Sequence, residues 1–234
     1  MKKQVFIIIL IGIATLPVTA LKAQEDNNAD TGSFESWNGL QVDYSLTKKI
    51  ELIAEAQVRL KSYGDTYNQA FVELQSVYTP WKFMELGLGY RNVDDLDDNG
   101  KKQGHENFYR YHAYVEGKMS FNRMDFSTRI QHQTKREVNN DLSNKGNSYW
   151  RTKFNFKYNI RNWKLDPRVG IEFFMREEFN PNNAYDKYRA SLGTKVDLKN
   201  KQSLLIKYLY EQEVNQPNAA TGFHILSLRY GLSL

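Results

Sequence analysis

The last stretch of the chain, GFHILSLRYGLSL at residues 222–234, decides the fold. Its even positions from 226 onward are Leu, Leu, Tyr, Leu and Leu, and the residues between them, which include Arg229, are polar or small. A period of two predicts a β-strand with one apolar face and one polar face. At the end of a soluble domain such a strand would be an exposed edge, whereas in a membrane barrel it closes against the first strand. We therefore interpret the rest of the chain as the sheet that this strand closes.

The first 23 residues are a predicted secretory signal peptide. A short basic segment at residues 1–3 precedes an apolar run at 5–16, and Ala23 offers a small residue before the expected cleavage site. The apolar run is shorter than the roughly 18 to 20 residues that span a bilayer as a helix. We therefore expect export, a lead-in or short first strand over residues 24–36, and a barrel over residues 37–234.

Charge and composition argue against several classes of protein. Lys2, Lys3 and Lys22 lie in the signal peptide, so the formal net charge falls from +5 to +2 after cleavage, which is too small to indicate nucleic-acid binding. The sequence has no cysteine, so it offers neither a lipid-anchor motif nor disulfides. No later segment is long and apolar enough for a transmembrane helix, but β-barrels escape that test because only alternate residues face lipid.

Eleven segments alternate in the same way as the last one. They are residues 37–46, 50–61, 69–78, 83–91, 108–119, 124–135, 149–158, 168–176, 188–198, 204–213 and 222–234. Most are about 9 to 13 residues long, which matches tilted membrane strands better than the strands of soluble sheets. Short turns alternate with longer polar loops at 93–107, 136–147 and 178–186, as expected for periplasmic turns and extracellular loops.

Aromatic residues and charge placement favour a membrane barrel over a soluble one. Trp81, Phe121 and Trp163 lie at short turns, where an interfacial girdle would lie. A soluble β-sandwich or lipocalin-like barrel would also alternate, but here one face carries charges in nearly every strand while the other is uniformly apolar. We predict an all-β, antiparallel, transmembrane up-and-down barrel in the outer membrane of a Gram-negative bacterium.

The predicted number of strands is twelve. Single-chain bacterial barrels normally have an even number, and both the strand at 37–46 and the last strand would run toward the periplasm. A strand that runs outward is therefore missing, and residues 29–36 are the place where we expect it. Ten strands is the alternative if one of the eleven segments is not a separate strand.

Several of these strand patterns resemble a known family. The segments, together with the early Trp37, are AEAQVRL (54–60), LGLGYR (86–91), FYRYHAY (108–114), TRIQHQTKRE (128–137) and YWRTKFNFKY (149–158). They resemble the outer-membrane barrel family called domain of unknown function 2490, over nearly the whole mature chain. The resemblance implies an outer-membrane barrel and carries over no functional residue. The KAQ context of the cleavage site also resembles exported proteins of the Bacteroidota.

The polar face of the strands is predicted to line the lumen, and its basic residues outnumber its acidic ones. The predicted lumen-lining residues are Glu55, Arg59, Glu73, Glu85, Arg91, Arg110, Glu116, Arg129, Arg151, Lys153, Lys157, Arg168, Glu172, Arg189, Lys195, Lys207, Glu211 and Arg229. One interpretation is a closed structural or interaction barrel whose charges pair across neighbouring strands. The other is a narrow porin-like channel whose basic wall favours anionic solutes. Arg151, Lys153 and Lys157 support the channel, because their strand face carries no acid.

A barrel-embedded hydrolase is a third interpretation, but we expect no enzyme and no catalytic residue. His224 and Ser227 fall on opposite faces of one strand, so they cannot form a dyad there. His112 is predicted to face inward, His132 and His224 to face outward, and His105 to lie in a loop. We expect no cofactor.

Residues 94–100 resemble a calcium-binding loop only loosely, because the closing glutamate is absent. A solvated surface loop is the simpler interpretation, and we expect no metal site. The expected partners are outer-membrane lipid, the barrel-assembly machinery and small anionic solutes, with no nucleic acid.

Overall fold

A computed structural model describes residues 34–97, 104–138, 147–177, 185–214 and 222–234. The predicted signal peptide and most of the lead-in, residues 1–33, lie outside the described residues. The described strands, in chain order, are β1 (Phe34–Ser45), β2 (Ile50–Lys61), β3 (Thr66–Trp81), β4 (Met84–Asp97), β5 (Gly104–Phe121), β6 (Met124–Glu137), β7 (Asn147–Tyr158), β8 (Pro167–Arg176), β9 (Lys187–Asp197), β10 (Gln202–Glu213) and β11 (Gly222–Ser233). A single 3₁₀ turn, Ser62–Gly64, follows β2. No helix among the described residues is long and apolar enough to cross a membrane.

The eleven strands form one closed barrel, and each strand is antiparallel to its neighbours in the chain. The exception is the closing seam, where β1 and β11 pair in parallel from Phe34 opposite His224 to Asp43 opposite Ser233. An odd number of meandering strands brings the first and last strands to the seam in the same direction, so only a parallel pair can close it. The described sheet therefore has no unpaired edge.

The predicted count of twelve strands is not confirmed, and neither is the alternative of ten. Residues 34–36, which we assigned to an additional strand, begin β1, and residues 29–33 lie outside the described residues. The prediction assumed that the seam is antiparallel. The parallel seam removes the need for an additional outward strand within the described part of the chain.

The two faces of the sheet differ strongly in exposure. Apolar side chains at the even positions of β3 and β4 face outward, and Leu74 and Leu88 are 61% and 66% exposed. The other face is concave, because its side chains reach across an intervening strand. Glu55 on β2 and Arg229 on β11 are 3.1 Å apart although β1 lies between them. This second face is therefore the interior of the barrel.

Two predicted connections are wrong in their limits. The polar loop predicted at 93–107 is mostly strand, because β4 continues to Asp97 and β5 begins at Gly104. Asp95 pairs with Gln69 of β3 and Glu106 of β5, and its carboxylate accepts a hydrogen bond from Lys135 of β6 at 2.9 Å. The turn expected between the segments 69–78 and 83–91 begins later, since β3 continues through Pro80 and ends at Trp81 after an irregularity in its register with β4. Proline fits that irregularity because it has no N–H for the ladder.

Candidate functional site: the barrel interior

Four buried carboxylates organise the interior, and each pairs with an arginine of a neighbouring strand. The pairs are Glu73 with Arg91, Glu116 with Arg129, Glu172 with Arg151, and Glu211 with Arg189. The carboxylates are 5 to 8% exposed as whole residues. Three of the four pairs lie directly opposite in the strand register, which is the arrangement in which cross-strand partners meet.

Glu172 is shared by two arginines. Its Oε1 accepts hydrogen bonds from Arg151 Nη2 at 2.6 Å and Nε at 3.1 Å. Its Oε2 lies 3.5 Å from Nη1 of Arg189, which reaches from β9. The carboxylate therefore balances two guanidinium groups, and Lys153 stands opposite it in the register between β7 and β8.

Trp37 lies in the interior between two arginines. The guanidinium carbon of Arg59 lies 3.8 Å from the centre of the indole ring, and that of Arg189 lies 5.0 Å from it. The contact with Arg189 joins β1 to β9 across two intervening strands. The indole N–H donates to Glu35 at 2.7 Å, which fixes the ring in place. Arginine over an aromatic face is a favourable arrangement that does not require a carboxylate.

Two further aromatic rings continue this pattern. Phe71 has Arg91 at 3.6 Å and Arg59 at 5.4 Å from its ring centre, and Phe174 has Arg151 at 4.8 Å. We did not predict these interior aromatic residues. A signal was present in the sequence, because Trp37, Phe71 and Phe174 occupy positions of the polar face and so interrupt the alternation.

An apolar cluster fills the interior beside the parallel seam. Trp37, Leu209 and Ile225 form the cluster, and the partly buried Phe223 packs against it. Ile225 is only 1% exposed. The lumen is therefore narrowed on the side formed by β1, β10 and β11.

Five interior cations have no carboxylate within ion-pair distance among the described residues. They are Arg59, Arg110, Lys153, Arg168 and Lys207. The Nε atoms of Arg110 and Arg168 are buried and have no hydrogen-bond partner in the described ranges. Arg59 instead donates from Nε to Gln57 and stacks on aromatic rings. The interior thus holds basic groups that its own acids do not neutralise.

The other charged residues predicted to line the lumen have partners. Arg229 binds Glu55 across the seam, Lys118 binds Glu85, and Lys157 lies 3.4 Å from Asp125 and 3.7 Å from Asp166. Lys195 and Asp197 approach to 3.8 Å near the end of β9.

A cavity of about 470 Å³ lies inside the barrel at the end that carries the short turns β5–β6 and β7–β8. Its charged lining comes from Glu116, Lys118, Asp125, Lys153, Lys157, Arg168 and Lys207. Three of these cations are among the five without a carboxylate partner. The cavity therefore combines space with positive charge that has no carboxylate partner among the described residues.

The histidines form no catalytic constellation with a serine among the described residues. His112 is buried in the interior with Nδ1 at 4.0 Å from Glu73. His224 lies on the outer face, where its Nδ1 is 2.5 Å from the Tyr208 hydroxyl, and His132 packs on Trp150 of that face.

His105 belongs to the start of β5, so the prediction that it lies in a loop is wrong. Its Nδ1 lies 2.9 Å from Asp94, which also accepts a hydrogen bond from the Tyr67 hydroxyl at 2.5 Å. Asp94 thus belongs to a strand contact, and residues 98–100 of the calcium-like segment lie outside the described residues. The described ranges contain no group of three or more acidic or histidine side chains placed to hold a metal.

Comparison with known proteins supports the fold and establishes the family. No curated protein matches the sequence. Among solved structures, the NanC porin is similar, with a TM-score of 0.51 and 13% identity over 82% of this chain and 92% of the porin chain. At that identity the likeness shows a porin-like β-barrel fold alone. A family model described as "Protein of unknown function (DUF2490)" matches residues 34–221. This match confirms the resemblance seen in the strand patterns, and the chain belongs to the DUF2490 family.

Proposed function

We propose that the chain is an outer-membrane β-barrel that forms a narrow channel favouring small anionic solutes. The observation that carries the proposal is the set of interior cations without carboxylate partners, which includes Arg59, Arg110 and Lys207. The porin-like fold and the exposed apolar outer face support the membrane location.

The electrostatic argument depends on how the interior acids are used. Each of the four buried glutamates is already engaged by an arginine, and Glu172 and Glu211 each contact a second cation as well, so their negative charge is already balanced. Cations inside a narrow lumen are poorly screened, and basic groups along a pore wall lower the barrier for anions. A permeating anion would therefore encounter groups that can replace part of its hydration shell.

A closed structural barrel is the second candidate, and one observation favours it. The cluster of Trp37, Leu209 and Ile225 packs one side of the lumen, with Ile225 almost fully buried. Small barrels often fill their interiors with side chains. The two candidates differ in whether water passes this cluster.

Single-channel recording in planar bilayers separates the two candidates. We expect discrete conductance steps and a reversal potential in a potassium chloride gradient that indicates preference for chloride. Arg110→Gln should reduce this preference, whereas Arg176→Gln removes the same charge from an exposed group paired with Asp186 and should not. Absence of discrete steps would favour the closed barrel, and preference for potassium would contradict the anion channel.

Location and partners belong to the same proposal. Fractionation of cells that express the full chain should place it in the outer membrane, in contact with lipid through the apolar outer face and inserted by the barrel-assembly machinery. Heat-dependent mobility in detergent gels would support a folded barrel. We propose no enzymatic activity, because the outward His224 contacts tyrosine rather than a serine.

A further inference from the structure

We infer that the interior cavity at the short-turn end binds a small multivalent oxyanion of the phosphate type between Lys153, Arg168 and Lys207. The inference deepens the proposed function and rests on it, because a solute must be able to enter the lumen from that end. It names the solute class and the place where that solute is held.

A glycine brings two of the three cations together. In the strand register, Arg168 on β8 lies opposite Gly193 on β9, and Gly193 lies opposite Lys207 on β10. A Cβ atom at Gly193 would lie only 2.7 Å from Cγ of Lys207, so the lysine side chain passes over the glycine toward β8. The Cα atoms of Arg168 and Lys207 are about two strand spacings, roughly 9 to 10 Å, apart. Both side chains are long enough for their charges to meet above Gly193.

Lys153 supplies the third cation from β7. Its cross-strand neighbour Glu172 is held by Arg151 and Arg189 and forms no ion pair with the lysine within the described residues. Lys153, Arg168 and Lys207 all line the same cavity. Like charges that line one cavity repel one another unless an anion lies between them.

The acids of the cavity are not available to fill that role. Glu116 is bound by Arg129, and Asp125 is bound by Lys157 and by the Ser120 hydroxyl. The positive charge of the three-residue site is therefore left for a ligand.

Polar neutral groups complete the lining. Asn155, Ser127 and Ser191 line the same cavity. The Ser191 hydroxyl donates to the carbonyl of Gly170 at 3.4 Å, and Asn155 donates one amide hydrogen to Ser127 at 3.1 Å. The second amide hydrogen of Asn155 can therefore be donated to an oxygen of a bound anion. Nε of Arg168 is a buried donor that has no partner in the described ranges. Such a donor is costly to leave unsatisfied, so an acceptor oxygen here would be stabilising.

The number of cations determines the valence of the ligand. A monovalent anion such as chloride balances one charge and accepts contacts on a single atom. A dianionic oxyanion spreads two charges over several oxygens, so it can accept charge-assisted hydrogen bonds from arginine and both lysines together. The site should therefore discriminate phosphate from chloride by more than size.

The test is a calorimetric titration of inorganic phosphate into the purified full chain in detergent, at about pH 7, where phosphate is present as both mono- and dianion. We expect saturable binding that excess chloride displaces poorly. Lys207→Gln and Arg168→Gln should each weaken phosphate binding about ten-fold or more, which is the loss expected for one charge-assisted contact.

The matched control is Arg176→Gln on the same strand as Arg168, roughly 26 Å away at the opposite end of β8. Its phosphate affinity should stay within two-fold of the unmodified chain, by this spacing argument.

The outcomes separate this inference from the proposed channel. Phosphate binding that depends on Arg168 and Lys207 but occurs without conductance supports the site and contradicts the channel. Anion-selective conductance with no saturable phosphate binding, or with equal losses in Arg176→Gln, overturns the site and leaves the channel standing. If a variant loses its heat-dependent gel mobility, Lys207→Arg replaces it, because this change keeps the charge and should retain binding.

Discussion

Replacing Glu172 by glutamine tests the charge balance of the barrel interior. Glu172 is 6% exposed and is the only carboxylate of the described residues within ion-pair distance of Arg151, while it also faces Arg189. Glutamine keeps the size and one acceptor oxygen for Arg151. The amide nitrogen would replace the oxygen that faces Arg189, so its N–H donors would face the N–H donors of the guanidinium group. The change therefore removes one charge and misplaces one hydrogen bond without creating a cavity.

The expected cost follows from the geometry of the pair. Removing one partner of a buried ion pair typically costs 3 to 5 kcal/mol, because the remaining charge is left uncompensated. The lower end, about 3 kcal/mol, applies here because Arg189 keeps its bond to Glu211 and glutamine still accepts from Arg151. With a denaturant slope of about 2 kcal/mol per M, the urea midpoint should fall by about 1.5 M.

The assay is equilibrium unfolding in urea of the chain refolded into detergent or lipid vesicles, followed by tryptophan fluorescence. Glu177→Gln is the matched control, since Glu177 lies just after β8 and its side chain is 54% exposed, with His132 at 3.5 Å as its ion-pair partner among the residues described. Its midpoint should change by no more than a few tenths of 1 M, because exposed ion pairs contribute little. A Glu172→Gln midpoint indistinguishable from that of Glu177→Gln would refute the claim that the interior is electrostatically organised around this carboxylate.

Two further predictions concern the lumen and the outer face. Trp37→Ala removes the ring between Arg59 and Arg189 and should destabilise the barrel by about 3 to 5 kcal/mol. Single-channel conductance should rise, because the lumen widens where the ring was. Unchanged conductance would show that the narrowest part of the lumen lies elsewhere. Leu88→Arg puts a charge on an outward position that is 66% exposed. It should cost about 2 to 4 kcal/mol in lipid vesicles if the side chain faces the bilayer, whereas a cost near zero would contradict a membrane-spanning outer face.

The sequence contains enough information to predict the strands and the two faces of the sheet. Alternation over 50–61 predicts β2 with the limits that the structure has, and the apolar positions such as Leu74 lie on the exposed outer face. These features depend only on the period of two, which each strand carries in its own residues. Local pattern is therefore sufficient for them.

The arrangement inside the barrel could not be predicted in the same way. Which arginine meets which glutamate depends on the register between strands, and no single strand specifies it. Small residues make the interior contacts harder to predict. Gly87 on β4 leaves room for the ring of Tyr114 of β5 to lie over it, and the Tyr114 hydroxyl accepts a hydrogen bond from Gln75 on β3 at 3.0 Å. From the sequence, Gly87 was only a small residue on the polar face. Its role appears only when three strands are seen together.

The closing strand depends both on its own alternation and on how the strands are arranged in the barrel. Its alternation predicts that it closes the barrel, but whether it pairs in parallel or antiparallel with the first strand depends on the number of strands. The described chain has eleven strands, so β1 and β11 pair in parallel. Parallel pairing is slightly less stable per residue than antiparallel pairing. Arg229 compensates by reaching past Gly39 of β1 to bind Glu55 of β2 at 3.1 Å. One interior ion pair therefore ties together three strands across the only parallel junction of the described barrel.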